Sequence, residues 1–150
     1  MDMKTLYTYI NESLLDDEDQ IMHDFEDRVK SSISKFIEEN FDRASKCTIS
    51  EKPNRDGKYV VDCSAPTEIR KRSLTSLTNG HFVWGKVGGD FNCSYCNSLE
   101  SLEGAPKEVK RNFDCRCCDS LKSLKGAPKK IGGKFDYSGC ESLTSIDYPY

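Results

Sequence analysis

The chain has 150 residues, of which 36% are hydrophobic and 31% charged, with a formal net charge of −3. That size suits one domain with an appendage and disfavours a second large catalytic domain. No apolar run approaches the ~18 residues needed to cross a bilayer, and Met1-Asp2-Met3-Lys4 lacks the apolar core of a secretory signal, so a cytoplasmic location without membrane contact is expected. Eight cysteines in that setting point to packed thiols or metal ligands, because a reducing compartment disfavours a disulfide framework.

Charge divides the chain. Residues 1–45 carry twelve acids and five bases, net −7, and residues 46–150 carry thirteen acids and seventeen bases, net +4. The first segment is expected to be helical: Leu6, Ile10 and Leu14 recur at four-residue steps, with Tyr7, Tyr9 and Leu15 beside them. Asp16-Asp17-Glu18-Asp19 reads as the start of a second helix, where acids meet the positive end of the dipole. Within it Ile21, Phe25, Val29, Ile33, Phe36, Ile37 and Phe41 form one apolar stripe, expected to cover the open end of the following domain or to meet a partner. A hairpin is expected next, with strands at Lys46–Ser50 and Lys58–Cys63 around the turn Pro53-Asn54-Arg55-Asp56-Gly57.

The last 63 residues repeat with a period of 22. Phe91, Phe113 and Phe135 superpose, as do Cys96, Cys118 and Cys140; Leu99, Leu121 and Leu143; and Leu102, Leu124 and Ile146. Gly104-Ala105-Pro106 returns as Gly126-Ala127-Pro128, and Ser73–Leu77 with Val87-Gly88-Gly89 is a degenerate earlier copy whose connection is stretched by Gly80–Gly85. Copies this short cannot bury their own apolar face and must stack, which predicts a solenoid of three to four turns with one strand per copy. Strand alternation turns Phe91 and Cys93 inward and leaves Asp90, Asn92 and Ser94 outward, followed by Asn112, Asp114, Arg116 and then Lys134, Asp136, Ser138.

The pattern Phe-x-Cys-x-x-Cys-x-Ser-Leu-x-Ser-Leu-x-Gly-Ala-Pro resembles the leucine-rich repeat family. That resemblance implies a curved parallel sheet whose inner, strand-bearing face binds a partner. The stretches Met3–Asp17, Ile49–Asn54 with Gly57–Tyr59, and Ser76–Gly80 are similar to small repeat proteins of gut bacteriophages and their Bacteroides-type hosts. This similarity covers nearly the whole chain and implies a phage-encoded protein acting in a bacterial host cell, without implying an activity.

Cys93-x-x-Cys96 and Cys115-x-x-Cys118 have the spacing of a four-thiolate zinc site. Each cysteine also holds a fixed place in the period, and the third copy puts Tyr137 where a thiolate is wanted, so structural cysteine ladders are the preferred reading, zinc the alternative and no cofactor the expectation. Cys117, outside the pattern, is the candidate exposed thiol. His23 and His81 stand alone, Gly88-Gly89 and Gly132-Gly133 lack the Lys and Ser/Thr of a phosphate loop, and Asp114 beside Asp136 has no cleft, so no enzyme is expected.

The fold expected is α+β: a helical cap over residues 1–45, then a β-hairpin and a short leucine-rich-repeat solenoid over 46–150. The function expected is binding of an unidentified protein, such as a host or defence factor that the chain inhibits. Asp90, Asn92, Ser94, Asn112, Asp114, Arg116, Lys134, Asp136 and Ser138 are the contact candidates, with Phe82 and Trp84 as an aromatic anchor. A structural role docking through the N-terminal helices is the second expectation. Nucleic acid is disfavoured because the +4 is spread thinly. Self-association through the helices or the open solenoid end, which only Tyr148 and Tyr150 are placed to cover, is a further expectation.

Overall fold

The computed structural model describes residues 2–144 and 146, and the side chains of these except residues 7 and 9–16. The proposed edge cover by Tyr148 and Tyr150, and the packing of Tyr7, Tyr9, Ile10, Leu14 and Leu15, therefore lie outside the described residues. Among the described residues no helix is long and apolar enough to cross a membrane.

Where two helices were expected there is one, α1, Met3–Asn40. The chain has neither Gly nor Pro before Pro53, so nothing breaks the backbone ladder, and the acids at 16–19 are accommodated inside it. The N-terminal signal sits instead at Asp2, which accepts hydrogen bonds from the Thr5 N–H (2.8 Å) and hydroxyl (3.0 Å). These bonds hold its carboxyl below the ordinary value.

Two compact units follow from the contacts, Met1–Ser32 and Ile33–Tyr150, so the division falls within α1 and not near residue 45. From Met3 on the first unit is helical, with Ile21, Met22 and Phe25 each more than half exposed. In the second unit the apolar stripe is covered: Ile33, Ile37 and Phe41 are buried. Phe41 packs edge-on against Trp84 at 5.1 Å, and Phe36 against Phe82 at 5.9 Å. The Asp42 N–H donates to Glu68 O (2.8 Å) and the Arg70 N–H to Asn40 O (2.7 Å), which seals the end of α1 onto the first turn of sheet.

After a 3₁₀ turn at Ala44–Lys46, β1 (Cys47–Ile49) and β2 (Tyr59–Cys63) form the expected antiparallel hairpin, with Cys47 opposite Cys63 and Ile49 opposite Val61. Its turn is held by Asn54, whose Oδ1 accepts the N–H groups of Asp56 (2.9 Å) and Lys58 (3.0 Å). The chain continues as β3 (Thr67–Glu68), β4 (Phe82–Val87), β5 (Phe91–Asn92), β6 (Glu108–Val109), β7 (Phe113–Asp114), β8 (Lys130–Ile131) and β9 (Phe135–Asp136). β1-β2-β4-β6-β8 make one sheet and β3-β5-β7-β9 another, parallel throughout apart from the hairpin. The result is a parallel β-solenoid of four turns, each giving one strand to each sheet. The single strand per copy expected from the sequence is thus replaced by two. One is centred on Val87, Val109 and Ile131, the other on Phe91, Phe113 and Phe135.

The period becomes columns of like side chains. Phe91 and Phe113 stack at 5.6 Å, and Phe113 meets Phe135 at 5.4 Å. Leu99, Leu102, Leu121 and Leu124 are fully buried, whereas Ile131, Phe135 and Leu143 in the last turn are only half buried. Backbone crowding explains the glycines: a Cβ on Gly132 would lie 2.0 Å from Lys110 O. On the outside, the copies are charge-complementary. Lys122 pairs with Glu100 (3.6 Å), Lys125 with Glu103 (3.1 Å) and Lys130 with Glu108 (3.3 Å).

Candidate functional site

The outward positions of the second sheet are largely engaged in building the corner that follows each strand. At the first corner the Asn92 Oδ1 accepts the Ser94 N–H (2.9 Å), at the second the Asp114 Oδ1 accepts the Arg116 N–H (3.0 Å), and at the third the Asp136 Oδ1 accepts the Ser138 N–H (3.0 Å). Before the strand, the Asp90 Oδ1 accepts the Asn112 N–H (2.8 Å) and the Asn112 Oδ1 accepts the Lys134 N–H (2.7 Å), tying one turn to the next. Of the nine contact candidates, Asn112, Arg116, Lys134 and Ser138 are exposed, Asp90, Asn92, Asp114 and Asp136 are half buried, and Ser94 is buried.

Three expectations are corrected. Ser94 is 3% exposed, and both its carbonyl and its hydroxyl accept from Arg72 Nη1, so it faces a neighbouring side chain and not solvent. Phe82 and Trp84, expected as an anchor in a loop, belong to β4 and lie in the core at 1% and 0% exposure. The Trp84 indole N–H is satisfied by Leu77 O at 2.9 Å, which is why a Trp can be buried there. The expected stretched connection is instead the central strand of the first sheet, between β2 and β6, and meets Phe41 at the end of α1 through Trp84.

On the second sheet, an aromatic that does reach solvent is Tyr95, 53% exposed. It occupies the corner after β5 with φ 61, a left-handed conformation costly for a bulky side chain. Cys117 (φ 53) and Gly139 (φ 73) hold the equivalent corners. The Arg72 guanidinium lies over the Tyr95 ring at 5.9 Å, and the Tyr95 N–H donates to Arg116 O at 2.8 Å. Arg116 in turn clamps two turns together. Its Nε and Nη2 meet the Asp114 carboxylate at 3.0 and 2.9 Å, and Nε lies 3.8 Å from Asp136. Asp114 raises the Arg116 pKa, while the Ser138 hydroxyl and N–H lower that of Asp136.

Beneath this surface the thiols form ladders. The Cys118 Sγ donates to Cys93 O (3.2 Å) and the Cys140 Sγ to Cys115 O (3.1 Å), each reaching one turn back. Burial pushes Cys96 up to about 11 and Cys118 up to about 12, and drives Cys93 and Cys115 upward as well, so these sulfurs are neutral thiols that pack and donate. The zinc alternative required Cys93, Cys96, Cys115 and Cys118 to converge on one ion. Among the described residues no three His, Cys, Asp or Glu side chains are grouped to hold a metal, because stacking places equivalent sulfurs in rows. Cys117, the candidate exposed thiol, is half buried.

Among the described residues no catalytic grouping surrounds the histidines. His23 pairs with Asp27 (3.2 Å) on the helix surface and His81 is exposed ahead of β4. A shallow groove of about 440 Å³ is lined by Thr75, Ser76, Ser98, Leu99, Glu100, Ser101 and Glu103. The Ser76 and Ser101 hydroxyls accept turn N–H groups, and both glutamates are engaged by lysines of the next turn. Comparison with protein-family models, curated proteins and solved structures finds no match to this chain.

Proposed function

We propose that this chain is a non-enzymatic protein-binding module whose contact surface is the corner after β5 and β7, centred on Tyr95 and flanked by Arg72, Arg116, Asp114 and Asp136. The observation that carries the reading is Tyr95 itself: a large aromatic held exposed, in a backbone conformation that glycine adopts without cost at the equivalent Gly139. Strain of this kind persists where something other than folding selects it. Tyr and Arg are also the side chains that most often dominate interface energies. The similarity to small phage repeat proteins favours a host or defence protein as partner, inhibited by occupation of its surface. The resemblance to leucine-rich repeats favours the same kind of role.

Affinity capture from host cells tests this with three baits: the wild-type chain, Tyr95→Ala and Arg116→Glu. A protein retained by the first and lost by the other two supports the surface. Equal retention by all three removes it. A second reading, docking to an assembly through the acidic helix, is favoured by the exposed Ile21, Met22 and Phe25 of the first unit. Capture lost with Ile21→Asp and Phe25→Asp but intact in Tyr95→Ala selects that reading instead.

A further inference from the structure

Six of the eight cysteines follow the repeat or its corner, but Cys47 and Cys63 do not. They face each other across β1 and β2. The Ser64 N–H donates to Lys46 O (3.0 Å) and the Ser50 N–H to Val60 O (2.8 Å), so hydrogen-bonded pairs fall at 46/64 and 50/60. The Cys47/Cys63 pair is therefore of the non-hydrogen-bonded kind, in which facing Cα atoms stand about 4.5 Å apart and side chains are closest. That separation lies within the span a disulfide bridges, roughly 4.4–6.8 Å.

We propose that Cys47 and Cys63 are a site of oxidative modification, closing to a cross-strand disulfide on exposure to a peroxide. Access supports it: Cys63 is 2% exposed, but Cys47 is half buried and lines a cavity of about 60 Å³ with Ser34, Ile37, Glu38, Ala44 and Ile49. A peroxide is of the order of one or two waters, each taking ~30 Å³, and fits there. The environment favours the first ionisation. Neighbouring Cys47, the Thr67 hydroxyl and the Ala65 N–H bring Cys63 down to about 6, aided by the charge of Arg43, while Cys63 and burial drive Cys47 up.

Cys63, ionised first, serves as the base: it takes the proton of Cys47 as the Cys47 sulfur, which lines the cavity, attacks one peroxide oxygen. The S–O bond forms, the O–O bond breaks, and the hydroxide released takes a proton from solvent. Cys63 then attacks the Cys47 sulfenic acid: the S–S bond forms, the S–O bond breaks, and the hydroxyl leaves as water with the Cys63 proton. Two thiols lose two electrons and one peroxide becomes two waters. β1 is the edge strand of its sheet, and the bond would fasten it to the solenoid.

The test treats the full chain with hydrogen peroxide and then maps it by mass spectrometry without reduction. Expected are a peptide linking residues 47 and 63 with two hydrogens lost, the same product in Cys117→Ser, and no such product in Cys47→Ser. The thermal midpoint of the oxidised wild type should rise by roughly 5–10 °C, reversed by dithiothreitol, because a loop of about 15 residues is closed. Cys63→Ala, which keeps Cys47, should stop at an acid-modified Cys47 with no rise. Wild-type chain that accumulates sulfinic acid at Cys47, or loses thiols only elsewhere, overturns the proposal.

Discussion

Leu121 and Leu143 occupy the same place in successive copies, yet the first is fully buried and the second half buried. Truncating Leu121 to Ala removes three carbons, about 2.4 kcal/mol at ~0.8 per methylene, and leaves a void that the equivalent leucines of the adjacent copies, Leu99 and Leu143, cannot fill. The total expected is about 3–4 kcal/mol. Leu143→Ala removes the same atoms from a site closed on one side only, and should cost about 1 kcal/mol. Guanidinium denaturation followed by circular dichroism reads the difference, roughly 1 M between the two midpoints if the slope is near 3 kcal/mol/M and unchanged. Equal losses would mean that the last turn is as closed as the central one, and would refute the burial gradient deduced from stacking.

High pH should unfold the solenoid. Cys93, Cys96, Cys115 and Cys118 have pKa values raised above the ordinary 9.0, so their contribution is complete below that value and is lost as pH climbs through the folded values, about 11 for Cys96 and about 12 for Cys118. The slope per thiol is ~1.4 kcal/mol per pH unit, so four together lose ~5 per unit, and a denaturation midpoint that stays flat from pH 9 to 11 contradicts it. Gly126→Ala, with φ +89 and a new Cβ 2.4 Å from Glu103 N, should lower stability by about 3 kcal/mol or more, whereas Gly57→Ala, with φ +73 and open space, should cost only about 1 in the same thermal melts. Tyr95→Gly relieves left-handed strain while freeing the unfolded chain, so it should stay within about 1 kcal/mol of wild type as it abolishes partner capture. A loss above about 2 kcal/mol would make Tyr95 a structural residue.

The period, the inward columns of Phe, Cys and Leu and the hairpin were legible because each rests on spacing alone. Two strands per turn were not. Glu108–Val109 and Lys130–Ile131 span two residues each, too few for alternation to register, and only their pairing in space reveals them. Trp84 was misplaced because the insertion around it breaks the period, so a core strand read as a loop. The acids at 16–19 carry a true helix-start signal, but an uninterrupted backbone ladder outweighs it. Tyr95 was missed although a clue was present: its equivalent is Gly139, and a glycine in a repeat marks a corner whose backbone any other residue enters at a cost.

The pairing of Glu100, Glu103 and Glu108 with Lys122, Lys125 and Lys130 makes neighbouring copies non-interchangeable. Duplicating the lysine-bearing copy would set ammonium against ammonium along three rows, and deleting it would set Glu100 against Thr144, which carries no charge to answer it. Length in this protein is thus written into its surface as well as its core: a gene for it cannot gain or lose a unit by simple recombination without breaking the match between what is then adjacent.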